Sequence, residues 1–233
     1  KMGQKAEHTF AGVNCGIMDQ FASVFGKENH VIFLDCDTLD YQYAPAYFGD
    51  YTLLLLNTNV KHNLQTSEYN NRRKECEAGI ALIQNKYPEV KNFREATMEM
   101  VEDLKEEMGD VVYRRSRFVV GEISRIQELV KSLEKNDFEN VGKLMTTTHY
   151  GLSKDYEVSC EELDFLVDHV LLEQGVLGAR VMGGGFGGCT INLLKKTVVE
   201  NVIEKLSKAY LDKFGIALTP YQVSVSEGTH FYA

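Results

Sequence analysis

Residues 179–194 read ARVMGGGFGGCTINLL, in which two short apolar runs flank six residues that include five glycines. The flanking runs, 179–182 and 189–194, have the length and apolar character of short strands. A glycine density this high is typical of positive φ angles or of a close approach between backbone segments. The stretch therefore predicts two consecutive strands joined by a glycine-rich connection.

The segments around this stretch predict the rest of a sheet. Residues 51–56 form an almost unbroken apolar run, which favours a central strand buried on both faces. Residues 198–214 show helical spacing, and residues 221–225 form a further short strand. The order strand, helices, strand, strand, helix, strand is that of a split β-α-β arrangement, with helices covering one face of an antiparallel sheet. We therefore expect an α+β fold whose part from 51 to 233 is ferredoxin-like, with several added helices.

The added helices are predicted by apolar residues at three- and four-residue spacing. They are residues 72–87, 98–108, 114–134, with Ile126 on the apolar stripe, 138–154 and 160–173. Residues 1–50 are expected to form a separate unit. In it, a helix over 14–25 has Asn14 as N-cap and ends at Gly26, and two β-prone runs follow at 30–34 and 39–43.

The composition excludes several classes of function. The chain has 233 residues, 44% of them hydrophobic and 25% charged, which is typical of a packed globular protein. A formal charge of −9 leaves no basic excess for a phosphate backbone, so nucleic acid is not expected as a partner. The longest aliphatic run, 53–56, is far shorter than the roughly 20 apolar residues of a membrane helix, so no membrane partner is expected.

Cysteine and histidine usage gives no sign of a metal site. The five cysteines are scattered without a C-x-x-C pair, and no two of the six histidines are three or four residues apart. We expect the cysteines to be small buried apolar groups in a reducing compartment, which favours the cytoplasm. No metal ligand is predicted.

Three features are candidates for a special role. The glycine run is followed by a strand and lacks the Lys-Ser or Lys-Thr of a P-loop, so it is neither a P-loop nor a dinucleotide-binding turn. It either connects a hairpin or packs beneath a phosphate-binding element supplied elsewhere. Asp19, near the start of the predicted helix, is either a solvated group or a carboxylate that accepts a hydroxyl proton. Arg72, Arg73 and Lys74 are mixed with glutamates, which predicts a salt-bridged helix face.

Seven short strings occur in a fixed order along the chain. They are AEH at 6–8, CGIMDQ at 15–20, NTNV at 57–60, SEY at 67–69, VVGE at 119–122, DYEVSC at 155–160 and GGGFGGC at 183–189. In this order and at these separations they resemble galactokinases, a family of the GHMP kinase superfamily. The combination differs from the mevalonate, phosphomevalonate and homoserine kinases of that superfamily.

The resemblance implies roles for individual residues. Asp19 matches the catalytic aspartate of the family, Gly16 a backbone group beside the sugar, and Tyr69 the aromatic residue that contacts the sugar. The glycine run matches the third motif of the family, which is expected close to the phosphates at Gly183, Gly184, Gly185 and Gly187.

The resemblance also implies the activity of the whole enzyme, in which the γ-phosphoryl group of ATP passes to the C1 hydroxyl of α-D-galactose with Mg²⁺ present. The first motif of the family, with a catalytic arginine and sugar-binding residues, and the second, a phosphate cradle, are expected upstream of Lys1, in a segment that holds ATP and Mg²⁺. Residues 1–50 are then the remainder of an N-terminal kinase domain, and the chain is expected to be inactive alone. Sugar and ATP are the expected partners. N-acetylgalactosamine kinase and a non-catalytic regulatory homologue that binds galactose and ATP remain alternatives.

Overall fold

The structure is a computed structural model that describes residues 1–12, 15–61 and 65–230. Its helices are α1 Met2–Ala6, α2 Met18–Phe25, α3 Gln65–Lys86, α4 Met98–Asp103, α5 Lys105–Glu134, α6 Phe138–Tyr150, α7 Glu161–Val170 and α8 Val199–Phe214. Its strands are β1 His30–Leu34, β2 Tyr41–Pro45, β3 Tyr51–Lys61, β4 Val176–Val181, β5 Gly187–Lys195 and β6 Thr219–Val223. Short π-helical turns, Glu7–Ala11 and Gly151–Asp155, follow α1 and α6.

The main sheet has four strands in the order β4-β5-β3-β6, and every neighbouring pair is antiparallel. This is the order of a split β-α-β arrangement, so the expected ferredoxin-like topology with added helices is confirmed. The strand predicted as central, now β3, lies between β5 and β6. The two β-prone runs nearer the start of the chain form an antiparallel hairpin, β1 and β2.

Helices lie against both faces of the sheet, which corrects the prediction of a single covered face. On one face, Leu54 and Leu56 of β3 pack in one core with residues of α7 and α8, such as Phe165 and Leu206. On the other face, Leu193 of β5 packs with Leu133, Val141 and Met145 of α5 and α6. The long insertion between β3 and β4 therefore supplies helices to both sides.

The apolar run predicted that β3 is buried on both faces. In the structure the two faces are not buried equally. Leu54 and Leu56 are fully buried, whereas Leu53 and Leu55 are only partly buried. Successive side chains of a strand point to opposite faces, so the two pairs meet different environments. The face of Leu54 and Leu56 meets α7 and α8, and the other face is less completely covered.

Helix α6 packs closely against β4. A Cβ on Gly142 of α6 would lie 2.3 Å from the Leu177 carbonyl oxygen, and one on Gly178 would lie 2.0 Å from the Gly142 carbonyl oxygen. The Ala179 N–H also donates to the Thr146 hydroxyl at 3.3 Å. At the opposite side of the sheet, β6 pairs only with β3 and contains Pro220.

Several predicted boundaries differ from the observed ones. Helix α2 begins at Met18 with Ile17 as its N-cap, and the predicted N-cap, Asn14, lies outside the described residues. Gly26 is the C-cap, as predicted. Helix α5 is interrupted by Gly109, whose φ of +66° is not helical, so the predicted break between two helices is shorter than expected.

Two burial predictions were wrong. Ile126, assigned to the apolar stripe of α5, is 44% exposed, because it lies in a part of the helix, residues 121–131, in which no residue is buried. The five cysteines are free thiols that are partly buried or, at Cys36, exposed. Within the described ranges, no helix has the length and apolar character needed to cross a membrane.

Candidate active site

A cavity of about 840 Å³ lies where the early part of the chain meets α3 and the glycine run. Five of the seven predicted site residues line this cavity: Gly16, Asp19, Tyr69, Gly183 and Gly184. The remaining two, Gly185 and Gly187, belong to the same run but lie outside the lining. Segments far apart in sequence thus meet around one space.

Asp19 reaches the cavity from the first turn of α2. Its helix is held in place by Ile17 and Phe21, which are both buried, and the ring of Phe21 stacks on Phe25 at 4.3 Å between centroids. The neighbouring Met18 is 56% exposed, so it does not exclude water. Asp19 itself is exposed, and its carboxylate is therefore accessible to a ligand that enters the cavity.

Tyr69, near the start of α3, faces the glycine run across the cavity wall. A Cβ on Gly184 would lie 3.6 Å from two atoms of the Tyr69 ring, which is an ordinary van der Waals distance. Gly184 does not therefore require the absence of a side chain on steric grounds. The backbone of Gly184 and the ring of Tyr69 together form one continuous part of the wall.

The close approach that the glycine density predicted occurs at Gly185. Its φ is +83°, and a Cβ there would lie 2.0 Å from the carbonyl oxygen of Val158. Side chains do not reach that distance without displacing the backbone. Positive φ angles also occur at Gly183, Phe186, Gly187 and Gly188. The run is thus a strained connection between β4 and β5 that only glycine-rich sequence adopts at low cost.

Three hydrogen bonds fix this connection. The Phe186 N–H donates to the Val158 carbonyl at 2.6 Å, and the Thr58 hydroxyl donates to the Gly188 carbonyl at 2.9 Å. The Met182 N–H donates to the Cys189 carbonyl at 3.0 Å, which closes the hairpin. The glycine run is therefore held by the segment before α7, by β3 and by its own flanks.

The segment that receives the Phe186 N–H is itself bound by three arginines. Arg114 donates to the Lys154 carbonyl, Arg115 to the Asp155 carbonyl, and Arg72 to the Tyr156 and Glu157 carbonyls, at distances of 2.5 to 3.0 Å. Four consecutive carbonyls at the end of the π-helical turn Gly151–Asp155 thus each accept a hydrogen bond from a guanidinium group. Positive groups at the carbonyl end of a helix are favourable.

Glu75 and Glu157 provide the negative charge for this cluster. Arg115 bonds Glu75 at 2.8 Å and Glu157 at 2.6 Å, and Arg114 bonds Glu157 at 2.5 Å. Hydrogen bonds from Arg114 and Arg115 lower the pKa of Glu157, although partial burial acts in the opposite direction. The carboxylate of Glu157 is therefore ionised well into the acid range.

The cavity floor beside this cluster carries two neutral polar groups. Burial raises the pKa of the Cys76 thiol, and a hydrogen bond with Tyr156 acts against that rise. Burial likewise raises the pKa of the Tyr156 hydroxyl, which lies 3.4 Å from the Cys76 sulfur. Both groups are protonated at neutral pH, so they supply no negative charge to the site.

The described residues contain no group of three or more His, Cys, Asp or Glu side chains that could hold a metal ion. The carboxylates that line the cavity are Glu7, Asp19 and Glu77, and Glu77 accepts a hydrogen bond from Arg73 at 3.0 Å.

No motif or spacing pattern indicated a role for Arg114, Arg115, Glu157 or Val158. The string at 155–160 contributes only to the resemblance, and Arg114 and Arg115 fall within a predicted helix. Arginine is seldom fully buried, so nothing in the local sequence indicated the 1% exposure of Arg115. The predicted salt-bridged face at Arg72 and Arg73 is confirmed, with partners at Glu75 and Glu77.

Comparison with known proteins agrees with this architecture. Residues 129–212 match a family model described as "GHMP kinases C terminal". This region is therefore similar to the C-terminal domain of GHMP kinases. It contains the second half of the helical insertion, strands β4 and β5 with the glycine run between them, and most of α8.

The remaining part of the chain is similar to galactokinases as well. The galactokinase of Thermotoga neapolitana is 45% identical over 228 residues, which are 98% of this chain and 63% of that relative. A crystal structure of Lactococcus lactis galactokinase complexed with galactose superposes with a TM-score of 0.92 at 33% identity, covering 97% of this chain and 58% of that one. The expected resemblance to galactokinases is confirmed.

A more distant structure shows the fold alone. The L. major mevalonate kinase in complex with R-mevalonate has a TM-score of 0.51 at 16% identity and covers 86% of this chain. The chain therefore shares its fold with this mevalonate kinase. Its similarity at the level of sequence is to galactokinases, of which it spans about three fifths.

Proposed function

We propose that this chain is part of a galactokinase, which transfers the γ-phosphoryl group of ATP to the C1 hydroxyl of α-D-galactose and gives galactose 1-phosphate. The observation that carries the proposal is the cavity shared by Gly16, Asp19 and Tyr69. These are the residues that the galactokinase motifs single out, and they come from different elements. The similarity to a galactokinase crystallised with galactose supports the same conclusion.

In this proposal Asp19 orients the C1 hydroxyl and accepts its proton as the oxygen attacks phosphorus. Phosphoryl transfer depends chiefly on positioning and on neutralising the charge of the transferred group. A positioned base contributes about 10²- to 10⁴-fold in rate. The exposed carboxylate of Asp19 on a short, well-anchored helix suits that role, because the backbone that carries it is fixed by Ile17 and Phe21.

Tyr69 and Gly16 would bind the sugar rather than act on it. The ring of Tyr69 presents a flat apolar face at the wall it shares with Gly184, which suits contact with the C–H face of a hexose. Gly16 leaves open space beside its backbone, since no atom of residues 1–12, 15–61 or 65–230 lies within 4 Å of the position of a Cβ. A sugar hydroxyl fits in such a space.

The test is the Asp19→Asn substitution in the complete protein that contains this chain. Asparagine keeps the shape of the side chain but removes its charge and basicity. We expect the turnover number with galactose to fall by roughly two orders of magnitude or more, while galactose affinity changes much less. Glu7→Gln is the matched control, because it removes another exposed carboxylate from the same cavity lining.

Near-normal turnover in Asp19→Asn would remove the residue from the mechanism. A loss confined to galactose affinity would instead make Asp19 a sugar-binding group. Running the assay with both galactose and N-acetylgalactosamine decides which sugar is the substrate, and tight sugar binding without turnover in the unmodified protein would favour a regulatory homologue.

We further propose that residues 1–233 alone do not phosphorylate galactose, with ATP and Mg²⁺ held mainly by a part of the galactokinase that this chain does not match. The proposal rests on the 63% share of the Thermotoga relative that the chain spans. Robust turnover by the 233-residue chain would refute it.

The domain boundary near residue 51 and a cytoplasmic location belong to the same proposal. The hairpin of β1 and β2 forms a sheet of its own, and the four-stranded sheet begins with β3 at Tyr51. The five free thiols suit a reducing compartment.

A further inference from the structure

We propose that Arg115 is a positioning residue for the cavity. It fixes the segment 155–158, and this segment in turn holds the glycine run in the cavity wall. The structural half of this inference stands on the contacts of the described residues alone. Its kinetic half rests on the proposed galactokinase function.

The burial of Arg115 is the first observation. Only 1% of the residue is exposed, although it carries a permanent positive charge on α5. A buried guanidinium needs partners for its donors, and its planar fork sets their directions. Arg115 uses all three of its nitrogens: Nε to Glu75, Nη1 to the Asp155 carbonyl and Nη2 to Glu157. One side chain thus joins α3 and α5 to the segment before α7.

The conformation of that segment is the second observation. Glu157 has a φ of +52°, which is uncommon for a residue with a side chain. Such a conformation persists only where the surroundings hold it. Its carboxylate is bound by Arg114 and Arg115, and its carbonyl by Arg72. The arginines therefore hold a backbone turn that the chain would not favour by itself.

The path from Arg115 to the cavity is short. The residue after this turn, Val158, lines the cavity and accepts the Phe186 N–H at 2.6 Å. Its carbonyl also faces Gly185 at the closest approach in the run. A shift of the turn would move Phe186 and Gly185 together, and with them the neighbouring Gly184, whose position in the wall against the ring of Tyr69 would change. The carboxylate of Asp19 lies on α2 and has no part in this path.

The geometry therefore predicts a specific kinetic pattern. Loss of Arg115 should disturb sugar binding, because it displaces the wall at Tyr69, and should change turnover less, because Asp19 stays in place. A residue that contributed only to overall stability would instead reduce the fraction of active protein, which lowers the apparent turnover number and leaves KM unchanged.

The first experiment measures amide hydrogen exchange in the 233-residue chain and uses no enzyme activity. In Arg115→Gln, the Phe186 amide should exchange about tenfold faster or more, because its acceptor is no longer fixed, whereas the amides of β3 and β5 keep their protection. Arg117→Gln is the matched control on the same helix, since Arg117 is 49% exposed on its side chain and meets carboxylates only at 3.8 and 3.9 Å. It should leave Phe186 unchanged.

The second experiment measures steady-state kinetics in the complete protein. We expect the galactose KM of Arg115→Gln to rise about tenfold with turnover within about threefold of the parent, and Arg117→Gln to match the parent. Arg115→Lys keeps the charge but has one nitrogen instead of a fork, so it should fall between the parent and Arg115→Gln.

The two arms separate the possible failures. Unchanged Phe186 exchange in Arg115→Gln would overturn the inference, and so would faster exchange with an unaltered KM. If the parent does not phosphorylate galactose, the proposed function fails while the exchange arm still decides the structural half. Should Arg115→Gln not fold, Glu157→Gln removes one charged partner, and its Phe186 exchange must then rise for the inference to hold.

Discussion

Gly185→Ala is the sharpest test of why the connection between β4 and β5 is rich in glycine. The methyl group would be placed 2.0 Å from the Val158 carbonyl oxygen on a residue whose φ is +83°. A left-handed backbone costs an L-residue about 1–2 kcal/mol. Moving the Val158 carbonyl aside also weakens its hydrogen bond from Phe186, which is worth about 0.5–1.5 kcal/mol. We expect a total loss of about 1.5–3.5 kcal/mol in the free energy of unfolding.

Gly183→Ala is the matched control, because Gly183 has a similar φ of +73° but no atom of the described residues lies within 4 Å of the added methyl group. It should lose only the backbone term of about 1–2 kcal/mol. For a chain of this length, 1 kcal/mol corresponds to about 2–4 °C in Tm. Gly185→Ala should therefore melt about 3–14 °C below the parent and measurably below Gly183→Ala.

The assay is urea-induced and thermal unfolding of the three proteins side by side. Equal losses in Gly185→Ala and Gly183→Ala would refute the close approach at Val158 and leave only backbone strain as the reason for the glycines. A Gly185→Ala protein as stable as the parent would refute both parts of the argument.

Two further predictions concern the helical insertion and its charged cluster. Gly142→Ala should lower the free energy of unfolding by about 1–3 kcal/mol, because its methyl group would lie 2.3 Å from the Leu177 carbonyl oxygen. Gly121→Ala should be neutral or stabilising, because the nearest neighbour of its methyl group is the flexible end of Met98 at 3.6 Å. Equal losses of the two variants in urea titrations would contradict this prediction. Acid should destabilise the chain in part through Glu157, whose pKa is lowered from 4.5 by its arginines. The stabilisation that ionised Glu157 provides is complete above pH 4.5 and is lost as the pH falls through the pKa of Glu157 in the folded state. Glu157→Gln should therefore show a shallower decline of Tm in acid than the parent, and parallel curves of Tm against pH would exclude the effect.

The sequence predicted most of the elements because their signals are local. The strands on either side of the glycine run, the hairpin of β1 and β2 and helix α8 all follow from runs of apolar residues and their spacing. The errors arose where tertiary packing decides. Leu53 and Leu55 look like Leu54 and Leu56 in sequence, but the two faces of β3 meet different helices. The exposure of Ile126 depends on which part of α5 is covered by another element of the fold.

The site was predictable only in part for the same reason. No spacing rule brings Asp19 and Tyr69 to one cavity, so their pairing came from the resemblance and not from the residues. Neither residue spacing nor the resemblance indicated the role proposed for Arg115. Its partners Glu75, Asp155 and Glu157 are distant in the chain, and an arginine between two others in a helix ordinarily indicates a solvated surface.

The outer strands of the four-stranded sheet also bear on how the protein behaves in concentrated solution. Addition of a strand from a second molecule needs a row of unpaired backbone donors and acceptors along the outer side. On β4, the Ala179 N–H is taken by Thr146 and α6 lies against Gly178. On β6, Pro220 has no N–H to offer. Both edge strands of the sheet thus resist pairing with a strand from another molecule, which protects this domain from forming fibrils by strand addition.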